Sequence, residues 1–496
     1  MVIFVNFAEN SRDDRKLQPE TILAIWWIPG HWKRNFIPRS YNFLKNIRQF
    51  VFRIAFFIYP REVFTQSRYC DAMKSICIRN AKVLTEKGFK IVNVLIENGI
   101  VASLLGKMPE DYQGASYNGE GCLLLPSFVD MHVHLREPGF GYKETIATGT
   151  EAAAAGGFTT VCPMPNLKPS PDSLENLKVQ LDLIEKSSRI DVLPFATITR
   201  QRLGNELTDY KELAPYVAGF SDDGSGVQSE EVMRKAMEGI AKTGKILAAH
   251  CEVESLLNGG YIHEGEYAKE HNHRGISSAS EWKEVERDII LAEETGCRLH
   301  ICHISTKESV DLVRKAKAKG LPVTCETGPH YLTFSDQDLQ EEGRFKMNPP
   351  IRSLDDREAL RKGLIDGTID VIATDHAPHS ETEKSKGLEK SAMGVVGLET
   401  AFAAVYTTMV ASGLMPFSRL IDAMVVKPRE ILHLREMDHV KEGMPANLVL
   451  LNPDEKFIVD SMKFKSMGKA TPYDGMTLQG KIKMTIYNGN PVFNSL

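Results

Sequence analysis

Apolar and polar positions change rhythm twice along the chain. From Lys74, short alternating runs, SICIRNAKVL, FKIVNVLIENGIVASL and GCLLLP, are separated by Gly, Asn and Asp. Alternation broken by turn residues is the pattern of an antiparallel sheet with one buried face. The texture returns only near the far end, in ANLVLLNP, KFIVD and KIKMTIYNGNPVF. Residues 73–124 and 441–496 are therefore expected to build one small β-domain, read as a β-sandwich.

Between them, over residues 125–440, short apolar runs alternate with helical periods. Strands are predicted at LPSFVDMHVHL from Leu125, TTVCPMP from Thr159, DVLPFATIT from Asp191, VAGFSDD from Val217, KILAAHC from Lys245, RLHICHIS from Arg298, LPVTCET from Leu321 and DVIATDHA from Asp370. Helical stretches such as SEEVMRKAMEGIAKTG and STKESVDLVRKAKAKG close on Gly, where a helix end favours it. Eight such units predict an α/β fold of the (β/α)8, TIM-like barrel kind. No glycine-rich phosphate loop opens the first βα turn, which argues against a doubly wound open sheet.

Residues 1–72 fit neither pattern. They hold 11 Lys and Arg against 6 Asp and Glu, and three of the four tryptophans, Trp26, Trp27 and Trp32. Their apolar pieces are too short to cross a bilayer, and no secretory leader pattern opens the chain. The segment is read as a basic aromatic extension without a fold of its own, with Met73 a sensible native start.

Composition narrows the partners. Of the 496 residues, 42% are apolar and 25% charged, with a net charge of −5. That balance excludes a general nucleic-acid binder, which needs clustered Lys and Arg, and favours a small-molecule partner. The eight cysteines form no CxxC pair, as expected of reduced thiols in a cytoplasmic protein rather than a disulfide framework.

The chemistry is concentrated at strand ends. His132 and His134 close the first predicted strand, Asp222 and Asp223 the fourth, His250 the fifth, His303 the sixth and Asp375 the eighth. Barrel enzymes build their sites on that rim. Taken singly, each residue is more often a satisfied core histidine or a turn cap; together they form a ligand set. Four histidines and two carboxylates exceed what one tetrahedral ion needs. Two divalent ions sharing a carboxylate would use them all, with His132, His134 and Asp375 on one ion and His250 and His303 on the other. Such a pair implies hydrolysis, or its reverse, at an amide-like carbon, with Asp375 shuttling the proton. An extended strand lets only one of Asp222 and Asp223 point inward, and periodicity does not say which. The ligands suit several divalent ions, zinc first among them.

The motifs PSFVDMHVHLREPG, MPN, FSDDG, AAHCE, CHISTKES, KMNPP and ATDHAPH resemble those of the cyclic amidohydrolases within the amidohydrolase superfamily, and specifically the dihydroorotase family of the bacterial type. That type uses an aspartate where relatives carry a carboxylated lysine. The resemblance covers Met73 to the C-terminus. It implies metal ligands His132, His134, Asp223 as the bridge, His250, His303 and Asp375, and so selects Asp223 over Asp222. It implies substrate contacts at His134, Arg136, Asn166, Asn348, His379, Met393 and Gly394. The implied reaction is the cyclisation of N-carbamoyl-L-aspartate to dihydroorotate and water. A homodimer, and association with aspartate transcarbamoylase as in some relatives, also come from the resemblance alone. Three positions depart from the family pattern: Leu167 after MPN, Met393 before Gly394, and Asn447 in the β-domain. The competing readings are an allantoinase or hydantoinase-like amidase, and a non-catalytic scaffold. The charged stretch from His379 to Met393 is expected to be a mobile loop beside the pocket, and His330 is left without a role.

Overall fold

The computed structural model describes residues 2–5, 23–26, 75–109 and 111–496. The rest of the expected extension, and the start expected at Met73, lie outside the described residues. Within the unit Met1–Arg68, β1 (Val2–Val5) pairs antiparallel with β2 (Leu23–Trp26). The unit Tyr69–Leu496 contains everything that follows.

It begins with β3 (Ile76–Thr85), β4 (Gly88–Glu97), β5 (Ile100–Leu105), β6 (Ala115–Asn118) and β7 (Leu123–Pro126). The chain then enters a parallel series: β8 (Phe128–Val133), β9 (Phe158–Pro163), β10 (Asp191–Val192), β11 (Gly219–Phe220) and β12 (Ile246–Ala249). A short parallel pair, β13 (Ile262–His263) and β14 (Gly275–Ile276), interrupts it. The series resumes with β15 (Arg298–Ile301), β16 (Val323–Thr327) and β17 (Val371–Ile372). Each of the eight stretches predicted as strands in this region overlaps one of them, β9 starting one residue earlier than predicted.

Neighbours pair in parallel from β8 through β9 to β10, and from β11 through β12, β15 and β16 to β17. Bridges at Ala196 with Phe220 and at Val133 with His376 join the two runs, so the order returns to its start. Helices fill the connections: α1 (Ile146–Ala155), α2 (Leu174–Ser187), α3 (Glu230–Ala241), α4 (Ala279–Thr295), α5 (Lys307–Ala318) and α6 (Leu354–Asp366). Five begin at a Ser or Thr whose side-chain oxygen accepts a first-turn N–H: Thr145, Ser173, Ser229, Thr306 and Ser353. Each cap satisfies a donor the helix itself leaves free and fixes where a strand-end loop must stop.

Val129, Met131, Cys162, Phe195, Ala248 and Val371 come from around this series and share one buried cluster. Removing such side chains from water stabilises by roughly 1.5–3 kcal/mol for the larger ones. The pairing of β8 with β9 slips between Asp130 and Val133. Strict alternation would put Met131 and His132 on opposite faces; the slip lets Met131 join the cluster while His132 and His134 still point together.

After β17 the chain returns to its first strands. β18 (Leu448–Ile458) pairs with β7 and with β19 (Thr477–Tyr487), which pairs with β20 (Asn490–Asn494). Because β7 also pairs with β3, hydrogen bonding runs unbroken through one eight-stranded sheet from both ends of the unit. Ile78, Val94, Val101, Leu124, Leu450 and Met484 share its core.

The charged stretch after His379 differs from the expected loop. It holds two four-residue helices, Glu381–Lys384 and Gly387–Lys390. Lys384 is buried, because its Nζ donates to the carbonyls of Lys346 at 3.0 Å and Ala392 at 2.8 Å in place of water. Among the described residues, no helix is long and apolar enough to cross a membrane.

Candidate metal centre

Asp223 lies at the middle of the predicted ligand set. Its Oδ1 is 3.4 Å from Nε2 of His132, 3.4 Å from Nε2 of His303 and 3.6 Å from Nδ1 of His250. Its Oδ2 is 3.6 Å from Nε2 of His134. Asp375 completes the group, with Oδ1 2.9 Å from His134 Nε2 and 3.6 Å from His132 Nε2. All six predicted residues meet here, and none is more than 6% exposed.

Asp222 turns the other way. Its carboxylate accepts the backbone N–H groups of Ile198 at 2.8 Å and Thr199 at 3.1 Å, and the Thr199 hydroxyl. It ties the loop after β10 to the end of β11 and leaves Asp223 free to face the histidines. Two more buried carboxylates work in the same manner. Asp130 accepts from His132 N at 3.1 Å and from Thr374 N and Oγ1 at 3.2 and 2.6 Å, holding the end of β17 against β8. Glu281 on α4 accepts from Ser305 and Thr306 through both backbone and hydroxyl groups, fixing the loop that follows His303. Sequence reasoning left Asp130 and Glu281 out of the site and kept Asp222 only as the alternative to Asp223; Asp130, a charge inside an apolar run, carries the sign of a buried partner.

The backbone is tense at the same rim. Arg136, His303 and Asp375 have φ of 62°, 31° and 45°. Non-glycine residues held there cost of order 1–3 kcal/mol each and persist only where surrounding contacts impose them.

Residues outside the predicted ligand set orient its histidines: Glu326, His300 and Glu252, which the sequence did not single out, and Asn166 and Asn348, expected there as substrate contacts. His132 Nδ1 lies 2.7 Å from Glu326 Oε1, and His300 Nε2 is 3.1 Å from the other carboxylate oxygen. His134 Nδ1 is 2.9 Å from Asn166 Oδ1. His250 Nε2 is 3.6 Å from Glu252, which accepts from Asn348 Nδ2 at 2.9 Å. An imidazole whose one nitrogen donates to an oxygen keeps the other as a lone pair for a metal.

The donor chemistry fits divalent cations. His132 Nε2 and Asp223 Oδ1, 3.4 Å apart, are both buried without a hydrogen-bond partner, a costly condition that a shared cation relieves. Two groups, His132 with His134 and Asp223, and Asp223 with His250 and His303, each hold their ligand atoms within 4.8 Å and share Asp223. Cys302 and Glu326 make a further such group with His132. Burial opposes ionisation of Asp223, yet the neighbouring His132 charge and three histidine contacts hold its carboxyl well below the usual range.

Beside the cluster lies the predicted substrate side. Arg136 is buried; its Nε donates to Pro378 O at 3.1 Å, and its Nη2 is 3.4 Å from His379 Nε2. His379 Nε2 is also 2.8 Å from Met393 O. Burial, then the charges of Arg136, Lys143 and Lys384, push His379 down to about 3. Gly394, at φ 128°, donates its N–H to Lys346 O at 3.1 Å. Asn348 Oδ1 is buried without a donor. His330 is also buried, with Nε2 unpartnered, and burial lowers it to about 4.

Comparison with known proteins adds an independent line. The family model described as Dihydro-orotase-like matches residues 121–309. A dihydroorotase of Halalkalibacterium halodurans is 44% identical over 424 residues, which is 85% of this chain and 98% of that protein. A dihydroorotase of Bacillus caldolyticus is 45% identical, over 81% of this chain and 94% of that one. Among solved structures, an L-hydantoinase from Arthrobacter aurescens superposes with a TM-score of 0.76 at 24% identity, covering 85% of this chain and 96% of its own. That likeness concerns the fold, whereas the sequence relatives span nearly their whole length. The chain belongs to the dihydroorotase family.

Proposed function

We propose that this protein catalyses the reversible cyclisation of N-carbamoyl-L-aspartate to dihydroorotate and water, as a (β/α)8 barrel enzyme spanning residues 125–440 with the eight-stranded sheet as an accessory domain. The observation that carries it is the pair of ligand groups sharing Asp223, set beside Arg136 and His379. His132, His134 and Asp375 would hold one divalent ion, His250 and His303 the second, and Asp223 would bridge them as an unmodified carboxylate. Zinc suits this nitrogen and oxygen donor set. Such a pair supplies Lewis acidity, activating water near neutral pH and polarising a carbonyl.

The chain's own groups do the rest. Asp375, 2.9 Å from His134 and aimed into the cluster, carries the proton between water and the amide nitrogen. Arg136 offers a guanidinium fork to the substrate's α-carboxylate. Asn166 spends its carbonyl on His134, so its amide N–H groups remain for the substrate. Asn348 spends its amide on Glu252, so its unpartnered Oδ1 is the acceptor for a ring N–H. Met393 and Gly394 line the same side, where His379 meets Met393 O.

The test is to assay purified protein for hydrolysis of dihydroorotate and cyclisation of N-carbamoyl-aspartate, measuring bound metal in parallel. Both activities with two ions per chain are expected. Turnover of hydantoin or allantoin alone would overturn the substrate, and full activity after Asp223→Ala or Asp375→Ala would overturn the mechanism.

A further inference from the structure

Lys143 comes from the loop before α1, outside every motif assigned above, yet it reaches His379. Its Nζ lies 3.2 Å from His379 Nδ1 and 2.9 Å from Glu383 Oε1, with the lysine side chain 14% exposed. We infer that Lys143 is a positioning residue that fixes His379 as the tautomer with its proton on Nε2, so that the ring donates to Met393 O and leaves the Arg136 fork free for one substrate carboxylate. This rests on the reading of His379 and Arg136 as substrate contacts.

An ammonium can only donate, so Nδ1 must accept from it, and a neutral imidazole then carries its proton on Nε2. A second contact agrees: Nε2 is 2.8 Å from Met393 O, and a carbonyl only accepts. Glu383 would favour the opposite tautomer by accepting from Nδ1. Its Oε2, however, is 3.7 Å away, beyond hydrogen-bond reach, and already accepts from Ser380 N and Oγ at 3.0 and 2.8 Å. Lys143 stands between that carboxylate and the ring.

The consequence reaches Arg136. Its Nη2 is 3.4 Å from His379 Nε2, but with a proton on Nε2 both atoms are donors and do not bond to each other. The Nε2–H is engaged by Met393 O and Arg136 Nε by Pro378 O, so the terminal N–H groups of Arg136 stay free for a carboxylate. With Nε2 unprotonated, its lone pair would accept from Arg136 Nη2 and draw that N–H away from the substrate.

The experiment uses the full-length metal-loaded enzyme, with Lys143→Met and Lys143→Arg. Histidine 15N NMR reads the tautomer, His379→Asn assigning the His379 signals, and steady-state kinetics are taken with dihydroorotate and N-carbamoyl-aspartate. Wild type is expected to show the Nε2–H form. Lys143→Met should lose it and raise KM about tenfold or more, the worth of one charge-assisted hydrogen bond, while kcat stays within about threefold. Lys143→Arg should keep the tautomer and most of the affinity. A wild-type signal with the proton on Nδ1 overturns the proposal without any variant, as does Lys143→Met with tautomer and KM unchanged, or Lys143→Arg behaving like Lys143→Met. If wild type does not turn over dihydroorotate, the proposed reaction falls, while the NMR result still decides what Lys143 does to the ring.

Discussion

Glu326 Oε1 lies 2.7 Å from His132 Nδ1, both side chains fully buried, and this contact decides which nitrogen of His132 faces Asp223. Glu326→Gln keeps the shape but turns a carboxylate into an amide that can donate to Nδ1 and reverse the ring's polarity. Metal affinity is expected to fall about 10- to 100-fold, the usual cost of disturbing a partner of a ligating histidine. Competition against a chromogenic chelator measures it; affinity equal to wild type would show that Glu326 does not orient the ligand.

Asp222 and Asp223 are adjacent and predicted to fail in opposite ways. Asp223→Asn should abolish activity and lower metal content while the protein melts near the wild-type temperature once both are metal-free. Asp222→Asn should keep its metal but lose about 1.5–3 kcal/mol of stability, because hydrogen bonds to a buried charge are replaced by weaker ones. Denaturant titration with metal analysis separates the two.

Gly394 leaves no room for a methyl group beside the pocket. A Cβ there would sit 2.8 Å from both the Cβ and the carbonyl oxygen of Ala377, on a backbone of φ 128°. Gly394→Ala is expected to cost about 1–3 kcal/mol of stability and to raise KM, since the strain falls on the segment joining Met393 to Lys346. Calorimetry and substrate titration check both effects; an unaltered KM would place the segment outside the pocket.

Lys384 gives a pH dependence with a defined sign. Burial, then the charge of Lys346, lowers it from 10.5 to about 7. The unfolded chain therefore binds more protons than the folded one between about pH 7 and 10.5, and this group makes stability rise with pH across that window. The destabilisation is fully present below pH 7 and absent above 10.5. Lys384→Met removes the titration, so wild type should gain melting temperature relative to the variant as pH rises from 7 to 10. A constant difference would show that the amine titrates alike in both states.

The eight central strands were legible because each is a short apolar run bounded by polar residues, and the six ligand residues because they repeat at the same end of those runs. Less visible were groups whose role depends on distant partners. Glu326 reads as one more residue of LPVTCET until folding sets it against His132, 194 positions earlier. Lys143 and Lys384 read as solvated charges; only tertiary structure supplies the His379 nitrogen and the carbonyls they use. The choice between Asp222 and Asp223 needed family motifs, since alternation allows either, and the structure adds the physical reason in the N–H groups of Ile198 and Thr199. The slip in β8 was equally hidden, because a shifted register leaves no mark on composition.

The pairing of β7 with β18 sets Leu124 beside Leu450, so strands from opposite ends of the unit are neighbours. During synthesis β7 can meet β3 early but emerges long before β18 exists, and that edge must wait for the entire central region to be translated. Closing so long a loop is slow compared with forming local βα contacts. Assembly from the ribosome therefore leaves an apolar sheet edge open until the last strands arrive, the interval in which the nascent chain is most exposed to misassociation and to chaperones.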